Sequence, residues 1–170
     1  MPFADARNKP WVLEQLRELV ALDRIGTVVD VGAGGGANLE FYGPWMVNAK
    51  WLAVEAWEPY IERFVLSRYA AVVHMDAREL DFPTCDLVFL GDVLEHMAES
   101  DGRALWQRAR KAARFVVLSL PIVHYEQGAW GGNPFEEHRH HWTTEDVLTL
   151  DGIVAHRCNE MTGAFIACDW

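Results

Sequence analysis

The sequence predicts an α/β fold in which a doubly wound parallel sheet is covered by helices on both faces. Short apolar runs alternate along the chain with segments of helical periodicity, and the runs are nearly continuous, as expected for strands buried on both faces. The first run, Val28-Val29-Asp30-Val31, passes directly into a glycine-rich turn. In doubly wound folds such a turn lies at the carboxyl edge of the sheet, where ligands bind.

An amphipathic helix is the first predicted element. Pro10 suits the first turn of a helix, and apolar side chains recur at helical spacing from there to about Asp23. Gly26 ends this segment, and the β-branched run at residues 28–31 predicts the first strand. The glycines that follow lead into residues 37–41, which favour a short second helix.

The next strands follow at regular intervals. A second strand is predicted at residues 50–55, and Pro59 then opens a helix that runs through about Arg68. Residues 70–75 are the third predicted strand and residues 86–90 the fourth. Because each run is apolar over most of its length, we expect these strands in the interior of a parallel sheet.

The rest of the chain combines regular elements with an irregular segment. Residues 101–113 are predicted as a helix and residues 114–119 as the fifth strand. A polar, aromatic and glycine-rich loop then runs from Pro121 to about Trp142. Two further strands follow; they comprise residues 153–158 and 164–168, with the turn-prone pair Thr162-Gly163 between them.

Composition and charge argue against several classes of function. The 170 residues are 51% hydrophobic, which suffices for one substantial core and predicts a single domain. The formal net charge of −10 argues against nucleic-acid binding, which needs clustered Lys and Arg. The three cysteines form no CxxC pair, the N-terminal residues lack the character of a signal peptide, and no apolar run is long enough to cross a bilayer. We therefore expect a cytoplasmic protein with no membrane partner.

The glycine-rich turn alone is compatible with two cofactors. The segment Gly32-Ala33-Gly34-Gly35-Gly36-Ala37 satisfies the G-x-G-x-x-G/A pattern, and Glu55 stands where an acid contacts the ribose of a dinucleotide. A nicotinamide-dependent oxidoreductase is therefore one interpretation. Asp30, however, would repel a pyrophosphate and attract a cation. Because Asp76 and Asp92 also follow strands, the acidic rim suits a ligand with ribose hydroxyls, an amino-purine and a positive charge.

Four motifs in a fixed order carry a family resemblance. They are Val28-Val29-Asp30-Val31-Gly32-Ala33-Gly34-Gly35-Gly36, Leu52-Ala53-Val54-Glu55-Ala56-Trp57, His74-Met75-Asp76-Ala77-Arg78 and Cys85-Asp86-Leu87-Val88-Phe89-Leu90-Gly91-Asp92-Val93-Leu94-Glu95-His96. With these motifs, over about residues 26–119, the chain resembles the class I S-adenosylmethionine-dependent methyltransferases. The resemblance implies a Rossmann-like sheet of seven strands, mostly parallel with an antiparallel C-terminal strand.

The resemblance also implies that residues 1–170 form one domain with three parts. Residues 1–25 form an N-terminal helix, and residues 26–119 form the core that binds the cofactor. Residues 120–170 form a loop on the side of the methyl acceptor and a C-terminal pair of strands. Since this arrangement contains no insertion over the acceptor site, we expect a second copy or a partner subunit to complete the pocket.

By the same resemblance, particular residues bind S-adenosylmethionine, whose product is S-adenosylhomocysteine. The loop from Gly32 to Gly36 cradles the methionine part, and Asp30 orders its ammonium group. Glu55 accepts hydrogen bonds from both ribose hydroxyls, while Asp76 and Ala77 contact the adenine. The predicted cofactor-binding residues are Asp30, Gly32, Ala33, Gly34, Gly36, Glu55, Ala56, Trp57, Asp76, Ala77 and Gly91.

Candidates for chemistry on the methyl acceptor lie in two segments. One follows the fourth strand and carries Asp92 and His96, and the other is the irregular loop, which carries His138. Because imidazole titrates near neutrality, a histidine is the best candidate for a general base. The predicted catalytic residues are therefore His138, His96 and Asp92.

The same residues offer a metal site as an alternative. Asp92, Glu95 and His96, with one of His138, His140 or His141, would suffice to bind a divalent cation. This arrangement resembles that of small-RNA 2′-O-methyltransferases and quinone-biosynthesis O-methyltransferases, in which a Glu-x-x-Glu-His sequence holds a metal. Asp92 departs from that pattern, because it stands where those enzymes have glutamate. We therefore predict that no metal is required.

The sequence thus predicts in-line methyl transfer from S-adenosylmethionine to a small-molecule acceptor, with oxygen as the acceptor atom. The Asn/Asp-Pro-Pro-Tyr sequence of amino-methylating DNA enzymes is absent after the fourth strand, where Gly91-Asp92-Val93-Leu94 stands. Two alternatives stay open. One is an NAD(P)-dependent oxidoreductase that uses the same loop, and the other is a non-catalytic, cofactor-binding subunit of a larger methyltransferase.

Overall fold

Seven strands form one sheet in the computed structural model, which describes residues 6–64 and 68–168. They are β1 (Thr27–Val31), β2 (Lys50–Glu55), β3 (Ala71–His74), β4 (Cys85–Gly91), β5 (Ala113–Pro121), β6 (Ile153–Cys158) and β7 (Thr162–Cys168). Their order is β3-β2-β1-β4-β5-β7-β6. The first five strands are parallel, and β7 runs antiparallel to both of its neighbours. The predicted mostly parallel, Rossmann-like sheet is confirmed.

Helices cover both faces of the sheet, as predicted. They are α1 (Lys9–Leu19), α2 (Ala37–Tyr42), α3 (Glu58–Phe64), α4 (Glu99–Ala112) and α5 (Thr144–Leu148). Successive residues of a strand point to opposite faces. Val29 accordingly shares one core with Trp106 of α4, whereas Val28 shares the other core with Leu16 of α1. Within the described ranges, the helices are too short or too polar to cross a membrane.

The N-terminal helix is shorter than predicted. α1 ends at Leu19, Val20 is extended (φ −154°, ψ 145°), and a separate 3-10 turn follows at Leu22–Arg24. Two other predictions fall partly on residues that the structure does not describe. Residues 1–5, where we expect no signal peptide, and residues 65–67, near the predicted end of the third helix, lie outside the described ranges.

The predicted turn at Thr162-Gly163 is wrong, because both residues belong to β7. The turn lies just before them, where Asn159 Oδ1 accepts hydrogen bonds from the backbone N–H groups of Met161 (2.8 Å) and Thr162 (2.9 Å). A Cβ at Gly163 would lie only 2.6 Å from the Phe165 ring. Close packing within the strand, and not turn formation, therefore explains this glycine.

α5 is a short helix that the sequence analysis did not predict. Thr143 and Asp146 form a capping box, in which Thr143 Oγ1 accepts from the backbone N–H of Asp146 at 3.1 Å. In return, the Asp146 carboxylate accepts from the backbone N–H of Thr143 at 3.0 Å. Val147 is fully buried in the same core as Trp106, which fixes this helix on the α4 side of the sheet.

The central strands bring the predicted site residues to one edge of the sheet. β1 lies between β2 and β4, and Asp30 is in register with Ala53 and Phe89 on these strands. The segments that follow the parallel strands therefore meet at the same carboxyl edge. The backbone N–H of Gly32 donates to Val54 O at 2.8 Å and ties the glycine-rich turn to β2.

Candidate active site

A cavity of about 470 Å³ opens at the carboxyl edge of the sheet, within the usual size range of small-molecule sites. Residues that follow the strands line one part, and the irregular segment after β5 lines another. Most of the predicted cofactor-binding residues line this cavity, namely Gly32, Ala33, Gly34, Glu55, Ala56, Asp76, Ala77 and Gly91. Asp30, Gly36 and Trp57 are not among the residues that line it.

The glycine-rich turn has a backbone conformation that residues other than glycine adopt only with strain. Gly32 (φ 64°), Gly34 (φ 49°) and Gly36 (φ 77°) all lie in the left-handed region. A Cβ at Gly32 would also lie 2.7 Å from Val93 Cγ2. Gly36 is the N-cap of α2, which explains its conformation without contact to the cavity. The turn thus exposes bare backbone of Gly32 and Gly34 to a ligand.

Glu55, at the end of β2, is bonded to the glycine-rich turn. Its carboxylate accepts hydrogen bonds from the backbone N–H groups of Gly34 (2.9 Å) and Trp57 (2.8 Å). Burial raises the pKa of Glu55, against the opposing effect of these donors. Each oxygen can still accept from a ligand hydroxyl. Trp57 contributes its backbone to this arrangement, whereas Tyr60, three residues further on, lines the cavity with its side chain.

Asp30 lies behind the cavity and is fully buried. Its carboxylate accepts from Asn38 Nδ2 at 2.9 Å and from the Tyr69 hydroxyl at 2.5 Å. Burial raises the pKa of Asp30 to about 6 despite these two hydrogen bonds. Asn38 does line the cavity. The structure therefore places the Asn38 amide, and not the Asp30 carboxylate, where a ligand can reach it.

Asp76, after β3, is paired with a neighbouring arginine. Arg78 donates to it from the backbone N–H (2.8 Å) and from Nη2 (2.6 Å), and this hydrogen bonding lowers the pKa of Asp76. From α4, Arg108 Nη2 donates to the carbonyl oxygens of Ala77 (3.1 Å) and Arg78 (3.0 Å). The short segment that is predicted to contact adenine is thus held in place by two arginines.

The predicted catalytic histidines lie side by side in the cavity wall. The ring centroids of His96 and His138 are 5.0 Å apart. Burial lowers the pKa of His96 to about 4 and also lowers that of His138. Each Nδ1 lies 3.3 Å from a backbone carbonyl oxygen, of Glu137 and Tyr125 respectively. Since a carbonyl only accepts, Nδ1 carries the proton, and Nε2 keeps a lone pair in the neutral ring.

Two acids complete this part of the site. Asp92 has a φ of 52°, and its backbone N–H donates to Ser119 O at 2.8 Å. Glu95 is buried, and neither carboxylate oxygen has a hydrogen-bond partner among the described residues. Burial and the nearby charge of Asp92 raise the pKa of Glu95 well above its ordinary value. Glu95, His96 and His138 each offer one ligand atom, and these atoms lie within 4.8 Å of one another.

Sequence reasoning missed several residues that line the cavity. Those with polar groups are Asn38, Tyr60, Arg78, Tyr125, Gln127, Asn133, Glu136, Arg139 and Thr162. Asn133 could have been found from the sequence, because asparagine favours turns. In the structure its Oδ1 accepts a hydrogen bond from the backbone N–H of Phe135 at 2.9 Å. Glu136, in contrast, carries no signal in the sequence that distinguishes it from a solvated acid.

Comparison with protein families gives one match that covers just over half of the 170 residues. The family is described as a methyltransferase domain, and its model matches residues 29–115. This range contains the glycine-rich turn, Glu55, Asp76 and the segment after β4. Comparison with curated proteins gave no match.

Solved structures share the fold at low sequence identity. An O-methyltransferase family protein from Burkholderia thailandensis has a TM-score of 0.63 and 15% identity, with coverage of 95% of this chain and 55% of that one. A SAM-dependent methyltransferase from Archaeoglobus fulgidus has a TM-score of 0.61 and 17% identity, with coverage of 95% and 94%. The small RNA methyltransferase HEN1 has a TM-score of 0.68 and 15% identity, with coverage of 99% and 26%. The chain thus spans only 55% of the Burkholderia protein.

The family match distinguishes between the two cofactors that suit the glycine-rich turn. It covers nearly all of the four motifs in their order, and the sheet has the antiparallel β7 expected from the resemblance. A nicotinamide-dependent oxidoreductase is therefore not supported. The chain belongs to the methyltransferase domain family, and its sheet is that of a class I methyltransferase domain.

Proposed function

We propose that this enzyme transfers the methyl group of S-adenosylmethionine to an oxygen atom of a small-molecule acceptor. The observation that carries the proposal is the pair of histidines in the cavity wall, His96 and His138, whose lowered pKa values keep both rings neutral at physiological pH. A neutral imidazole with a free Nε2 accepts a proton. Such a base is what a hydroxyl acceptor requires as its oxygen is methylated.

His138 is the better of the two candidate bases. The pKa of His96 is lowered to about 4, so its ring is only a weak proton acceptor. His138 is less buried, and its pKa lies closer to the ordinary value. Because the efficiency of a general base is greatest when its pKa is near the working pH, we assign proton removal to His138. His96 then packs beside it and limits the positions that its ring can take.

The remaining residues position the reactants. The sulfonium is already activated, so the enzyme gains mainly from alignment of the acceptor, methyl carbon and sulfur, and from exclusion of water. Glu55, Asp92 and Glu136 line the cavity and favour a cationic ligand. The irregular segment after β5 provides Tyr125 and Gln127, which lie on the same cavity as the glycine-rich turn.

Calorimetry and product analysis test this function together. The chain is expected to bind S-adenosylhomocysteine and not NADH. It is also expected to release S-adenosylhomocysteine from S-adenosylmethionine when small hydroxylated compounds are supplied. A matched panel of amines and thiols is the control for the acceptor atom. Turnover with amines alone would overturn the assignment to oxygen, and binding of NADH alone would overturn the cofactor.

The chain is proposed to act as one domain over residues 1–170, with a second copy or a partner subunit near the acceptor site. The sheet and both of its helical layers are present within this length. Size-exclusion chromatography with light scattering, followed by an activity assay on each peak, tests the need for a partner. A monomer that turns over at full rate would contradict it. Binding of S-adenosylhomocysteine without turnover by the isolated chain would favour the non-catalytic subunit.

A second candidate function is metal-assisted methyl transfer, which the cluster of Glu95, His96 and His138 favours. Both Glu95 oxygens are buried without a partner among the described residues, and both histidines keep Nε2 as an acceptor. Two imidazoles and one carboxylate suit a hard or borderline cation such as Mn²⁺ or Zn²⁺. When bound, the ion would polarise the acceptor oxygen. Asp92, the fourth residue of the predicted set, is not part of this cluster.

Equilibrium dialysis against MnCl₂ or ZnCl₂, with elemental analysis of the protein, tests the metal directly. If this second function holds, the wild-type chain retains bound metal, and Glu95→Gln and His138→Ala lose it. His156→Ala is the matched control, because this histidine lies on the exposed edge strand β6. Equal metal content in all four proteins would exclude the site and leave His138 as a metal-free base.

A further inference from the structure

Lys9, the first residue of α1, is buried close to the glycine-rich turn. It is 7% exposed, although lysines are seldom buried without a partner. Its Nζ donates to Ala37 O at 2.9 Å and to Asn38 Oδ1 at 3.0 Å. Since the family match begins at residue 29, Lys9 lies outside the matched region. The N-terminal helix thus contributes a cation to the back of the cofactor site.

The bond to Asn38 is one end of a linear hydrogen-bond network. Asn38 Nδ2 donates to Asp30 Oδ1 at 2.9 Å, and the Tyr69 hydroxyl donates to Asp30 Oδ2 at 2.5 Å. Of these four residues, Asn38 alone lines the cavity. Because its oxygen faces Lys9 and its nitrogen faces Asp30, the amide has one orientation. The second N–H of Nδ2 remains available to a ligand.

Gly91 leaves the space that this amide needs. A Cβ at Gly91 would lie 3.1 Å from Asn38 Nδ2. The amide nitrogen is therefore packed between the end of β4 and the buried carboxylate of Asp30. A flipped amide would place its oxygen against Asp30 and its nitrogen against the Lys9 ammonium, which are two repulsive contacts. Lys9 and Asp30 together exclude the flipped form.

We propose that Lys9 is a positioning residue for cofactor binding, and that it acts through Asn38. With its orientation fixed, the amide presents an N–H group to the carboxylate of the methionine part of the cofactor. This inference rests on the proposed cofactor site in the cavity. It adds to that site a residue of the N-terminal helix that does not touch the ligand.

The charges around the network predict how its function depends on pH. Asp30, Asp92 and Glu40 stabilise the protonated form of Lys9, while burial lowers its pKa. Lys9 in turn favours the ionised form of Asp30, whereas burial and Glu55 oppose it. The phenols of Tyr42 and Tyr69 also face Asp30, and their pKa values are raised, so they remain protonated. Removal of the Lys9 charge is therefore expected to raise the pKa of Asp30.

A double-mutant cycle measured by calorimetry with S-adenosylhomocysteine tests the inference. Lys9→Met keeps the length of the side chain and removes the charge, and Asn38→Ala removes the amide. We expect each single variant to weaken binding by about tenfold, which corresponds to the loss of one charge-assisted hydrogen bond. The double variant should bind no more weakly than Asn38→Ala. Additive losses would overturn the proposal, because they would mean that Lys9 does not act through Asn38.

The pH profile of binding distinguishes a positioning role of Lys9 from a purely structural one. Between about pH 5 and pH 8, wild-type affinity should fall as Asp30 is protonated, with a midpoint near its pKa of about 6. In Lys9→Met this midpoint should move to higher pH, and in the exposed control Lys50→Met it should not move. An unchanged midpoint in Lys9→Met would overturn the proposal. If Lys9→Met does not fold, Lys9→Gln makes the same test with a neutral donor.

Failure of this inference is distinct from failure of the proposed function. If the wild-type chain binds no S-adenosylhomocysteine, the cofactor site itself is wrong. If the wild-type chain binds it and Lys9→Met binds equally well with the same pH profile, the cofactor site stands and the role of Lys9 is excluded.

Discussion

Tyr60 and Glu136 lie 76 positions apart in the sequence, and the Tyr60 hydroxyl donates to Glu136 Oε1 at 3.0 Å. Tyr60 belongs to α3, shortly after Glu55, whereas Glu136 ends a 3-10 turn in the irregular segment. Gln127 Nε2 also donates to Glu136 O, at 2.7 Å. These contacts join the segment after β5 to the part of the cavity where the cofactor is proposed to bind.

Tyr60→Phe is expected to lower the free energy of unfolding by about 1–3 kcal/mol, because it leaves a buried carboxylate oxygen without its donor. Urea denaturation measures this difference. The half-exposed Tyr125 offers a matched control, and Tyr125→Phe should cost less. Equal urea midpoints for wild type and Tyr60→Phe would show that this hydrogen bond does not hold the segment in solution.

Glu55→Ala is expected to weaken binding of S-adenosylhomocysteine by more than tenfold, about 1.4 kcal/mol or more. The change removes the proposed acceptor of the ribose hydroxyls and frees the Gly34 N–H that the carboxylate holds at 2.9 Å. Isothermal titration calorimetry checks the value, with Glu58→Ala, an exposed glutamate at the start of α3, as the control. Unchanged affinity in Glu55→Ala would refute the ribose assignment.

His138→Ala is expected to lower turnover much more than it lowers affinity for S-adenosylhomocysteine. The imidazole is the proposed base for the acceptor and has no assigned contact with the cofactor. Parallel calorimetry and initial-rate measurements separate the two effects. Equal loss in both would count against a role on the acceptor side.

The protonation state of His138 also determines how turnover depends on pH. A general base acts in its neutral form, which is present above its pKa, and burial lowers the pKa of His138. Turnover of the wild type should therefore rise with pH, with a midpoint below the pKa of an ordinary histidine, about 6.5. A rate profile with its midpoint above that value would exclude His138 as the base.

Gly32→Ala is expected to reduce both stability and cofactor binding. Its φ of 64° disfavours a side chain by about 1–2 kcal/mol, and the added Cβ would lie 2.7 Å from Val93 Cγ2. Gly128→Ala is the matched control, because a Cβ there has no neighbour within 4 Å. Thermal unfolding and calorimetry on both variants make the comparison. If Gly32→Ala and Gly128→Ala have the same thermal stability and the same affinity, the glycine-rich turn tolerates a side chain better than its geometry indicates.

Elements with local signals were predictable from the sequence. The predicted strand at residues 50–55 agrees with β2, because an apolar run between turn residues is sufficient to specify a buried strand. Gly163 misled the prediction, because a glycine that is required by packing looks the same in sequence as one that forms a turn. The capping box of α5 was present as Thr143 and Asp146, but the helix is too short to show periodicity.

The geometry of the site depended on contacts that no local pattern reveals. The motifs identified Asp30, but only the packing of Tyr69 and Asn38 around it shows that it lies behind the cavity. The segment that carries His138 is fixed by distant partners, since Glu95 O accepts from the backbone N–H of Arg139 at 2.8 Å. Residue types therefore predicted the cofactor, whereas tertiary contacts decide which side chains can reach it.

The backbone of Asp92 limits what mutagenesis at this position can reveal. It is the non-glycine residue with positive φ among the described residues, and Asn, Asp and Gly enter that region more readily than other types. A saturation library would therefore select first for residues that tolerate the bend, before any effect on methyl transfer is seen. Asp92→Asn is the informative exchange, since it keeps the bend and removes only the charge, whereas Asp92→Ala would combine a chemical loss with a distorted chain.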